Sequence, residues 1–432
     1  MSVRNARSSI QRVAEPPVKP AGARVVTAIL AAVAAIGQVS TTIYLPSIPA
    51  LSQSLGTSES LVQLTIVAYL VPFALFQLLA GPVADSRGRR PTLAAGMMLF
   101  IAGSLLGALS WHISVLFVGR FLQGVGASAG YSVSRAVARD LFDGTRLTRV
   151  IGDIAMAFAL APGFMPLLGG VANDVLGWRA NFGIAVVFGL VILVGVLAFL
   201  PETLRSRTPL NVTRLLNVSY APIARSTRFL SLALLSTIPF FGLFSFFTAG
   251  PAYTINVLGL TPMQFGTLPP LAVTGFLAGL TLSRRLQRGR YAGRVIGLGI
   301  AVCLLAAVLI YTLYGLGMLG AAAFTACMFL HATGMGMVIP VASAEAIRPY
   351  GASAGAASAL LGFIQMAGAI AGTLATSYLG GMLGRYAFPE VMLLGAVVGC
   401  VALGVSGRAM RIAGKTGVQA VRPAAGATDV PS

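Results

Sequence analysis

Twelve apolar runs, each of about 20 residues, follow one another along the chain, separated by polar segments with charged or turn-forming residues. A helix needs about 20 consecutive apolar residues to cross a bilayer, so each run predicts one membrane-spanning helix. The predicted spans are 25–46, 61–82, 92–111, 115–138, 149–172, 181–200, 227–249, 263–283, 293–314, 318–342, 353–378 and 388–408. The sequence therefore predicts an all-α polytopic membrane protein with 12 transmembrane helices.

Composition agrees with this fold class and excludes several functions. Of 432 residues, 56% are hydrophobic and 9% are charged, whereas a soluble domain has roughly 25% charged residues. The net charge of +19 would ordinarily indicate a nucleic-acid partner. However, the arginines lie between the apolar runs and form no contiguous basic face, so no nucleic-acid partner is expected. Cys303, Cys327 and Cys400 lie inside apolar runs without CxxC spacing, which predicts neither a disulfide, a metal site nor a cofactor.

A longer polar stretch separates the sixth run from the seventh. The predicted organisation is an N-terminal tail (1–24), a first six-helix half (25–200), a linker (201–226), a second six-helix half (227–410) and a C-terminal tail (411–432). The eighth run is followed by a basic segment, 283–290, just as the second run is followed by the basic segment 81–91. The two segments occupy corresponding positions in the two halves. This weak repeat is typical of two halves related by an axis along the membrane normal.

The distribution of basic residues predicts the orientation. With the N-terminus inside, 27 of the 30 Lys and Arg fall on the cytoplasmic side, whereas the exterior loops hold only Arg179 and Arg385. This bias follows the positive-inside rule and predicts that both termini are cytoplasmic. Residues 1–24 have no small-residue cleavage pattern, so a cytoplasmic tail is expected there rather than a removed signal peptide.

The segment between the second and third runs has the pattern Gly-x-x-x-Asp-x-x-Gly-Arg-Arg, which resembles the loop 2–3 signature of major facilitator superfamily transporters. The carboxylate at the end of helix 2 can pair with either arginine that follows, or with the arginine at the foot of helix 4, and Gly88 permits a tight turn. The resemblance implies a conformational latch between the halves that favours the outward-facing state; the alternative is a topology anchor. The residues concerned are Gly81, Asp85, Gly88, Arg89, Arg90 and Arg139.

Arg120 lies about five residues inside the fourth predicted span. A charge placed in a membrane span costs about 2.5–3.5 kcal/mol on insertion scales, so it is retained only beside a wet cavity or a partner. Gly126 and Gly130 follow it and allow a neighbouring helix to approach closely. The pattern resembles the helix-4 Arg-x-x-x-Gly motif of the superfamily, which is linked to proton transfer. The alternative is an arginine that extends to the outer interface.

The fifth run contains two prolines and three glycines, which predict a kinked helix packed closely against a neighbour. These residues are Pro162, Gly163, Pro166, Gly169 and Gly170. The pattern resembles the helix-5 antiporter signature of drug:proton exchangers, so it favours export over uptake. The alternative is helix packing alone.

Three further segments extend the resemblance: Tyr44–Pro49 at the end of helix 1, Gly177–Phe182 before helix 6 and Phe246–Tyr253 in helix 7. Together with the motifs above, they are most similar to the bicyclomycin and chloramphenicol resistance branch (the Bcr/CflA family), over roughly residues 25–410. The resemblance implies the major facilitator fold, a drug:proton antiporter of the bacterial inner membrane, and a monomer.

One position departs from that branch. Members commonly carry an acidic residue two positions before the Tyr-Leu-Pro, where this chain has Thr42, so the proton-coupling scheme does not transfer directly. Asp153 and His331 are the remaining titratable candidates within the spans, together with the charge of Arg120. For Asp153 the alternative is a carboxylate favoured by a helix N-terminus near Arg149. For His331 it is a neutral packing residue.

A substrate site is expected at the midplane between the halves, because carriers with repeated halves bind there. Hydrophobic walls with a few hydrogen-bonding groups suit uncharged or amphipathic solutes, although the phenylalanines could equally face lipid. The candidates are Gln38, Thr41, Thr42, Tyr69, Gln123, Phe240, Phe244, Phe247 and Gln365.

The sequence thus predicts a proton-coupled exporter of a small drug-like or metabolite solute, with the solute, protons and the lipid bilayer as its partners. The alternatives are export of a specific endogenous solute (a sugar, nucleoside or amino-acid derivative) and a uniporter without proton coupling. An enzyme is not expected, because two histidines and few acids provide no catalytic constellation. No P-loop motif is present, so ATP is not expected to drive transport directly.

Overall fold

The computed structural model describes residues 20–204, 206–287 and 292–415, and throughout these ranges the regular secondary structure is helical. Twelve helices match the twelve predicted spans in number and order. They are α1 (Pro20–Thr42), α2 (Glu59–Arg87), α3 (Arg89–Ala108), α4 (Ile113–Leu141), α5 (Gly144–Leu176), α6 (Arg179–Phe199), α7 (Thr227–Asn256), α8 (Pro262–Gln287), α9 (Ala292–Gly315), α10 (Ala321–Ile347), α11 (Ala354–Leu383) and α12 (Phe388–Lys415).

Eleven of the twelve helices are long and apolar enough to cross a membrane, and the twelfth has a shorter apolar stretch, Phe388–Gly404. We call the membrane side at which α1 begins and α12 ends the terminal face, and the other side the opposite face. The predicted all-α fold with twelve transmembrane helices in two groups of six is confirmed.

The connection between the second and third predicted spans (61–82 and 92–111) is shorter than the sequence predicts. α2 continues to Arg87 and α3 begins at Arg89, so that Gly88 alone separates them. Gly88 has a φ of +113°, which a residue with a side chain rarely adopts. One glycine with a positive φ therefore reverses the chain, and Gly81 and Asp85 both lie inside α2.

Pro82 is compatible with the interior of α2 because the carbonyl that it deprives of a partner is bonded elsewhere. A helical proline has no N–H for the carbonyl four residues earlier, which is that of Leu78. The Tyr220 hydroxyl donates to this oxygen at 2.7 Å. Burial raises the pKa of Tyr220 to about 12, so its hydroxyl remains a donor at neutral pH. The segment between α6 and α7 is therefore attached to α2.

The two groups of six helices meet along two seams, α2 against α11 and α5 against α8. Near the opposite face the first seam contains a hydrogen bond from the Ser377 hydroxyl to Gln63 Oε1, at 3.1 Å. α7 also packs on the turn that follows α1. These contacts close the molecule on the opposite face.

The α5–α8 contacts are concentrated nearer the opposite face. The end of α4 nearest the terminal face, Gly130–Leu141, packs on α1, α2, α3 and α5, all of which belong to the first group of six. The close contacts between α5 and α8 run from Gly163 to Asp174, the part of α5 nearer the opposite face. The α5–α8 contacts thus lie nearer the opposite face, whereas the α2–α11 seam continues toward the terminal face, where Gln77 Nε2 donates to the Ala359 carbonyl at 3.5 Å.

Candidate functional site

Arg120 is fully buried in α4 and binds three helices of the first half. Its Nη1 donates to the Ser40 carbonyl at 2.9 Å, to the Ser40 hydroxyl at 3.1 Å and to Gln123 Oε1 at 2.8 Å. Its Nε donates to the Thr65 carbonyl at 3.4 Å. Arg120 is therefore a structural junction of α1, α2 and α4 within the first half.

The end of α1 explains how this charge is tolerated. α1 stops at Thr42, so its last carbonyls lack helical N–H partners and carry the negative end of the helix dipole. Ser40 provides one of these carbonyls. The rings of Tyr44 and Tyr69 lie 4.4 and 4.5 Å from the Arg120 guanidinium carbon and add cation–π attraction. Arg120 is thus stabilised by a helix end and two aromatic faces.

No carboxylate in the described residues is paired with Arg120. Thr41 and Thr42 are buried and donate their hydroxyls to the Gly37 and Gln38 carbonyls of their own helix. One nitrogen of Arg120, Nη2, is buried without a hydrogen-bond partner. The first half therefore places a buried cation next to a helix end, without an acidic partner.

The structure brings Arg120 together with Gln123 and Tyr69, two of the predicted substrate residues. Gln123 in turn donates to the Ser104 hydroxyl at 2.8 Å, and Tyr69 donates to the Gly37 carbonyl at 2.8 Å. Sequence reasoning missed four members of this cluster: Ser40, Tyr44, Thr65 and Ser104. The usable signal was the proline after Tyr44-Leu45, which ends α1 and leaves its carbonyls without partners.

The three predicted coupling residues are not brought together. Asp153 is exposed on α5, and no hydrogen bond or ion pair within the described residues involves its side chain, including any with Arg149. His331 is buried in α10, where its Nε2 lies 3.2 Å from the Pro239 carbonyl and its Nδ1 has no partner. These two groups and Arg120 therefore occupy three separate environments.

Four of the predicted substrate residues lie in the second half. The Gln365 side-chain amide in α11 donates to the Ser236 and Ser343 hydroxyls, at 3.1 and 3.4 Å. Phe244 and Phe247 in α7 are buried with their ring centroids 5.6 Å apart, while Phe240 is half-buried. No described hydrogen bond joins this group to the Arg120 cluster.

The latch residues form a network within the first half. Asp85 pairs with Arg89 at 2.6 Å, and Arg89 also reaches Asp140 at the end of α4, at 3.4 Å. The Arg90 guanidinium instead donates to backbone carbonyls at the end of α6. Arg139, the third predicted partner of Asp85, has no ion pair within 4.0 Å among the described residues. Asp85 remains half exposed.

Glu202, which sequence reasoning missed, completes this network. Its two carboxylate oxygens accept hydrogen bonds from the backbone N–H groups of Arg89 and Arg90, at 3.0 and 3.2 Å. It therefore caps the N-terminus of α3, where unpaired N–H groups and the helix dipole favour an anion. A Cβ at Gly88 would lie 2.5 Å from Glu202 Oε2. Gly88 is thus required for this capping as well as for the turn.

The helix-5 motif forms the surface of α5 that meets α8 of the second half. Gly163 and Gly170 face α8, and an added Cβ at Gly170 would overlap the Pro262 carbonyl. The contact is equally close from the side of α8, where a Cβ at Gly266 would lie 2.6 Å from the Pro166 carbonyl. Backbone therefore packs directly on backbone at this seam, as small residues allow between membrane helices.

The same motif also contacts α1. An added Cβ at Gly169 would overlap the carbonyl oxygen of Ile43, directly after α1. Pro162 and Pro166 remain inside the continuous helix Gly144–Leu176. One side of the motif therefore packs on α1 of its own half, and the other side packs on α8 of the second half.

A bundle of twelve helices of this kind in two halves has the architecture of a polytopic membrane protein. The chain belongs to the Major Facilitator Superfamily, whose family model matches residues 30–376. Members of this superfamily carry small molecules across membranes, so the chain is a transporter and not an enzyme.

Individual relatives agree with the predicted branch. The chain is 29% identical over 340 residues to multidrug resistance protein D of Escherichia coli K12, covering 79% of this chain and 85% of the relative. It is 27% identical over 367 residues to a chloramphenicol resistance protein of Pseudomonas aeruginosa, covering 84% and 85%. A solved bacterial homologue of the human lysosomal transporter Spinster has the same fold, with a TM-score of 0.71, 15% identity, and 92% and 98% coverage.

Proposed function

We propose that this protein exports a small drug-like or metabolite solute across the bacterial inner membrane in exchange for protons, acting as a monomer with its terminal face in the cytoplasm. Two relatives named for multidrug and chloramphenicol resistance support the direction of transport. The positive-inside bias supports the orientation, with 27 of the 30 Lys and Arg assigned to the terminal face.

The observation that carries this proposal is the α5–α8 seam. Glycines of the antiporter signature bring the backbones of the two halves into direct contact near the opposite face, whereas the main contacts of the terminal-face end of α4, among the described residues, are with helices of its own half. A carrier that rocks around a central site passes through such a state, closed outside and open inside. The helix-5 motif would thus form the outer seal.

Proton coupling is proposed to use a group other than a helix-1 acid. Thr42 cannot ionise, and Arg120 already binds the end of α1. Asp153 and His331 are the remaining candidates. Asp153 is our first choice, because it lies exposed on α5 near the terminal face, where a rocking movement would change its surroundings. His331 is the second choice, because it is buried, although its Nδ1 has no hydrogen-bond partner and could accept a proton.

The experiment has two arms. Expression in a pump-deficient bacterial host should raise resistance to at least one member of a compound panel that includes chloramphenicol. With that compound and the purified protein, binding should release protons, and either Asp153→Asn or His331→Gln should eliminate the release while binding stays measurable. Release that survives in the double variant would exclude both residues.

A uniporter is the second candidate, because no described carboxylate balances the buried charge of Arg120. Resistance without proton release in the wild-type protein would support it. If no drug-like compound is exported, a specific endogenous solute becomes the expected substrate.

The latch at α2–α3 gives a separate prediction. We propose that the half-exposed carboxylate of Asp85 docks on the second half when the terminal face closes, as the resemblance implies. Asp85→Asn should slow transport about tenfold or more. Its folding stability should change little, because exposed ion pairs contribute about 0–1 kcal/mol. Transport rates in liposomes and thermal unfolding measure the two effects.

Asp143→Asn is the matched control for this substitution. Asp143 is also an exposed acid at the terminal face, and its side chain makes no capping hydrogen bond. Equal transport rates in the Asp85 variant and the control would show that Asp85 is only part of a topology anchor.

A further inference from the structure

Two carboxylates of the first half accept hydrogen bonds from the second half, and both lie on the opposite face. Glu59 begins α2 and Asp174 is near the end of α5. The other side-chain hydrogen bonds of carboxylates in the described residues stay within one half or its flanking linker. The two seams of the closed face are therefore each joined by one acid.

Glu59 closes the α2 side. Its Oε1 accepts from Asn256 Nδ2, at the end of α7, at 2.6 Å. The same amide nitrogen lies 3.0 Å from the Tyr386 hydroxyl, so three polar groups from three elements meet at one point. This arrangement holds α2 against the outer end of the second half.

A cavity of about 230 Å³ reaches Glu59 from this seam. Gln63, Thr376 and Tyr386 are among the residues that line it. The Thr376 hydroxyl is buried without a hydrogen-bond partner. A polar cavity of this size can hold several water molecules, which would let protons reach Glu59 while the halves stay together.

Asp174 closes the α5 side. Its Oδ2 accepts from the backbone N–H of Met263 at 3.0 Å. Met263 lies in the first turn of α8, where backbone N–H groups lack helical partners and can bond a carboxylate. The ionised carboxylate is therefore the form that binds the second half more strongly.

We propose that Glu59 and Asp174 form a proton-binding gate on the opposite face, in which protons from that side release the closed seams. The proposal rests on the proposed proton-coupled transport and names the groups that external protons meet first. It assigns these two carboxylates a role that neither the sequence motifs nor the Arg120 cluster supplies.

The direction follows from linkage. A hydrogen bond to an ionised carboxylate is roughly twice as strong as one to a neutral acceptor, so the seams are held more strongly by ionised acids than by protonated ones. Reciprocally, protonation of the acids must favour the open state. Protons are more abundant outside an energised cell, so they would open the gate on the side where the solute leaves.

The groups that face the two acids do not remove this effect. Around Glu59 these are Tyr386 and Arg385, and Arg385 is paired with Glu390 at 2.8 Å. Burial, aided by the Glu59 charge and opposed by the hydrogen bond with Asn256, raises the pKa of Tyr386. The tyrosine therefore stays neutral during acidification.

Fewer charges surround Asp174. The segment 257–268, which packs against it, contains no titratable side chain. Tyr44 is the only titratable residue in 43–56, the turn that packs on α5. Arg179, the nearest basic residue along the chain, donates to the Ser110 carbonyl at 3.0 Å and stacks on Trp178.

The experiment measures opening directly and does not depend on transport. Spin labels at Leu109→Cys and Leu316→Cys, exposed sites on opposite-face turns of the two halves, report the distance between the halves in the full-length protein. The three native cysteines are first replaced by alanine. Acidification from about pH 8 to about pH 4.5 brackets the titration of carboxyl groups in general. In the otherwise unaltered protein it should raise the open-to-closed ratio about tenfold or more.

Glu59→Gln with Asp174→Asn mimics the protonated acids. The double variant should already be as open at about pH 8 as the unaltered protein is in acid, and its distance distribution should not change with pH. Asp143→Asn is the control and should retain the full response. Each single variant should retain a partial response, which guards against a folding defect in the double variant.

The outcomes are distinct. A distance that does not respond to pH in the unaltered protein, or a double variant that responds as strongly as the control, would overturn the gate. If either result accompanies intact proton-coupled efflux, the proposed function stands and the gate alone fails. If the gate responds but efflux releases no protons, the gate stands and the antiport proposal fails.

Discussion

Replacing Arg120 with alanine is expected to abolish transport. The guanidinium bonds the end of α1, the Thr65 carbonyl of α2 and Gln123 of α4, so its removal leaves the Ser40 carbonyl and Gln123 Oε1 without a donor. Each buried acceptor left without a partner costs about 1–3 kcal/mol. We expect lower thermal stability and no measurable transport in liposomes, because the first half then loses its junction between α1 and α2.

Two further variants separate charge from geometry. Arg120→Lys restores the charge but lacks the planar fork that stacks between Tyr44 and Tyr69, so it should recover a fraction of transport, about a tenth or less. Arg179→Ala is the matched control, because Arg179 also stacks on an aromatic ring and donates to a carbonyl. Transport that survives in the alanine variant of Arg120 would show that this residue is only an anchor.

The second large effect is expected at Gly169. A Cβ there would overlap the backbone carbonyl of Ile43, which cannot move away as a flexible side chain could. Overpacking of this kind typically costs about 1–3 kcal/mol and displaces backbone. Gly169→Ala should therefore lower the thermal stability and reduce transport strongly, because α5 must move away from α1.

Gly152 offers a control in the same helix. No heavy atom lies within 4 Å of a Cβ built there, and alanine is favoured over glycine in a helix by about 0.5–1 kcal/mol. Gly152→Ala should match or exceed the wild type in stability. Equal behaviour of the two variants would show that the α1–α5 contact is not a tight constraint.

The fold could be predicted from the sequence because the bilayer leaves few alternatives. Twelve apolar runs can only become twelve helices, since every backbone polar group in lipid needs an internal partner. Helix ends were less predictable. α2 extends past Pro82 because the Tyr220 hydroxyl binds the Leu78 carbonyl, and no local pattern reports a partner so distant in the chain.

The sequence identified several residues of the candidate site, but it did not identify the groups that they contact. Arg120 and the helix-5 glycines were identified, because a charge in a span and glycines beside prolines are locally unusual. Their partners were not, since the Ser40 and Ile43 carbonyls belong to the backbone and carry no residue signature. Glu202 was missed for a similar reason: a single acid after a span becomes a cap only when the fold brings α3 to it.

That cap has a consequence for biogenesis. The N-terminus of α3 is bonded by Glu202, which is synthesised more than a hundred residues after Arg89 and Arg90. Until α6 and Glu202 have been synthesised, the backbone N–H groups at the start of α3 lack this carboxylate. The corner formed by α2, Gly88 and α3 therefore enters the membrane without its cap. Assembly of the first half therefore ends with its sixth helix. A nascent chain arrested before that point should show the corner accessible to proteases, and one arrested after it should show the corner protected.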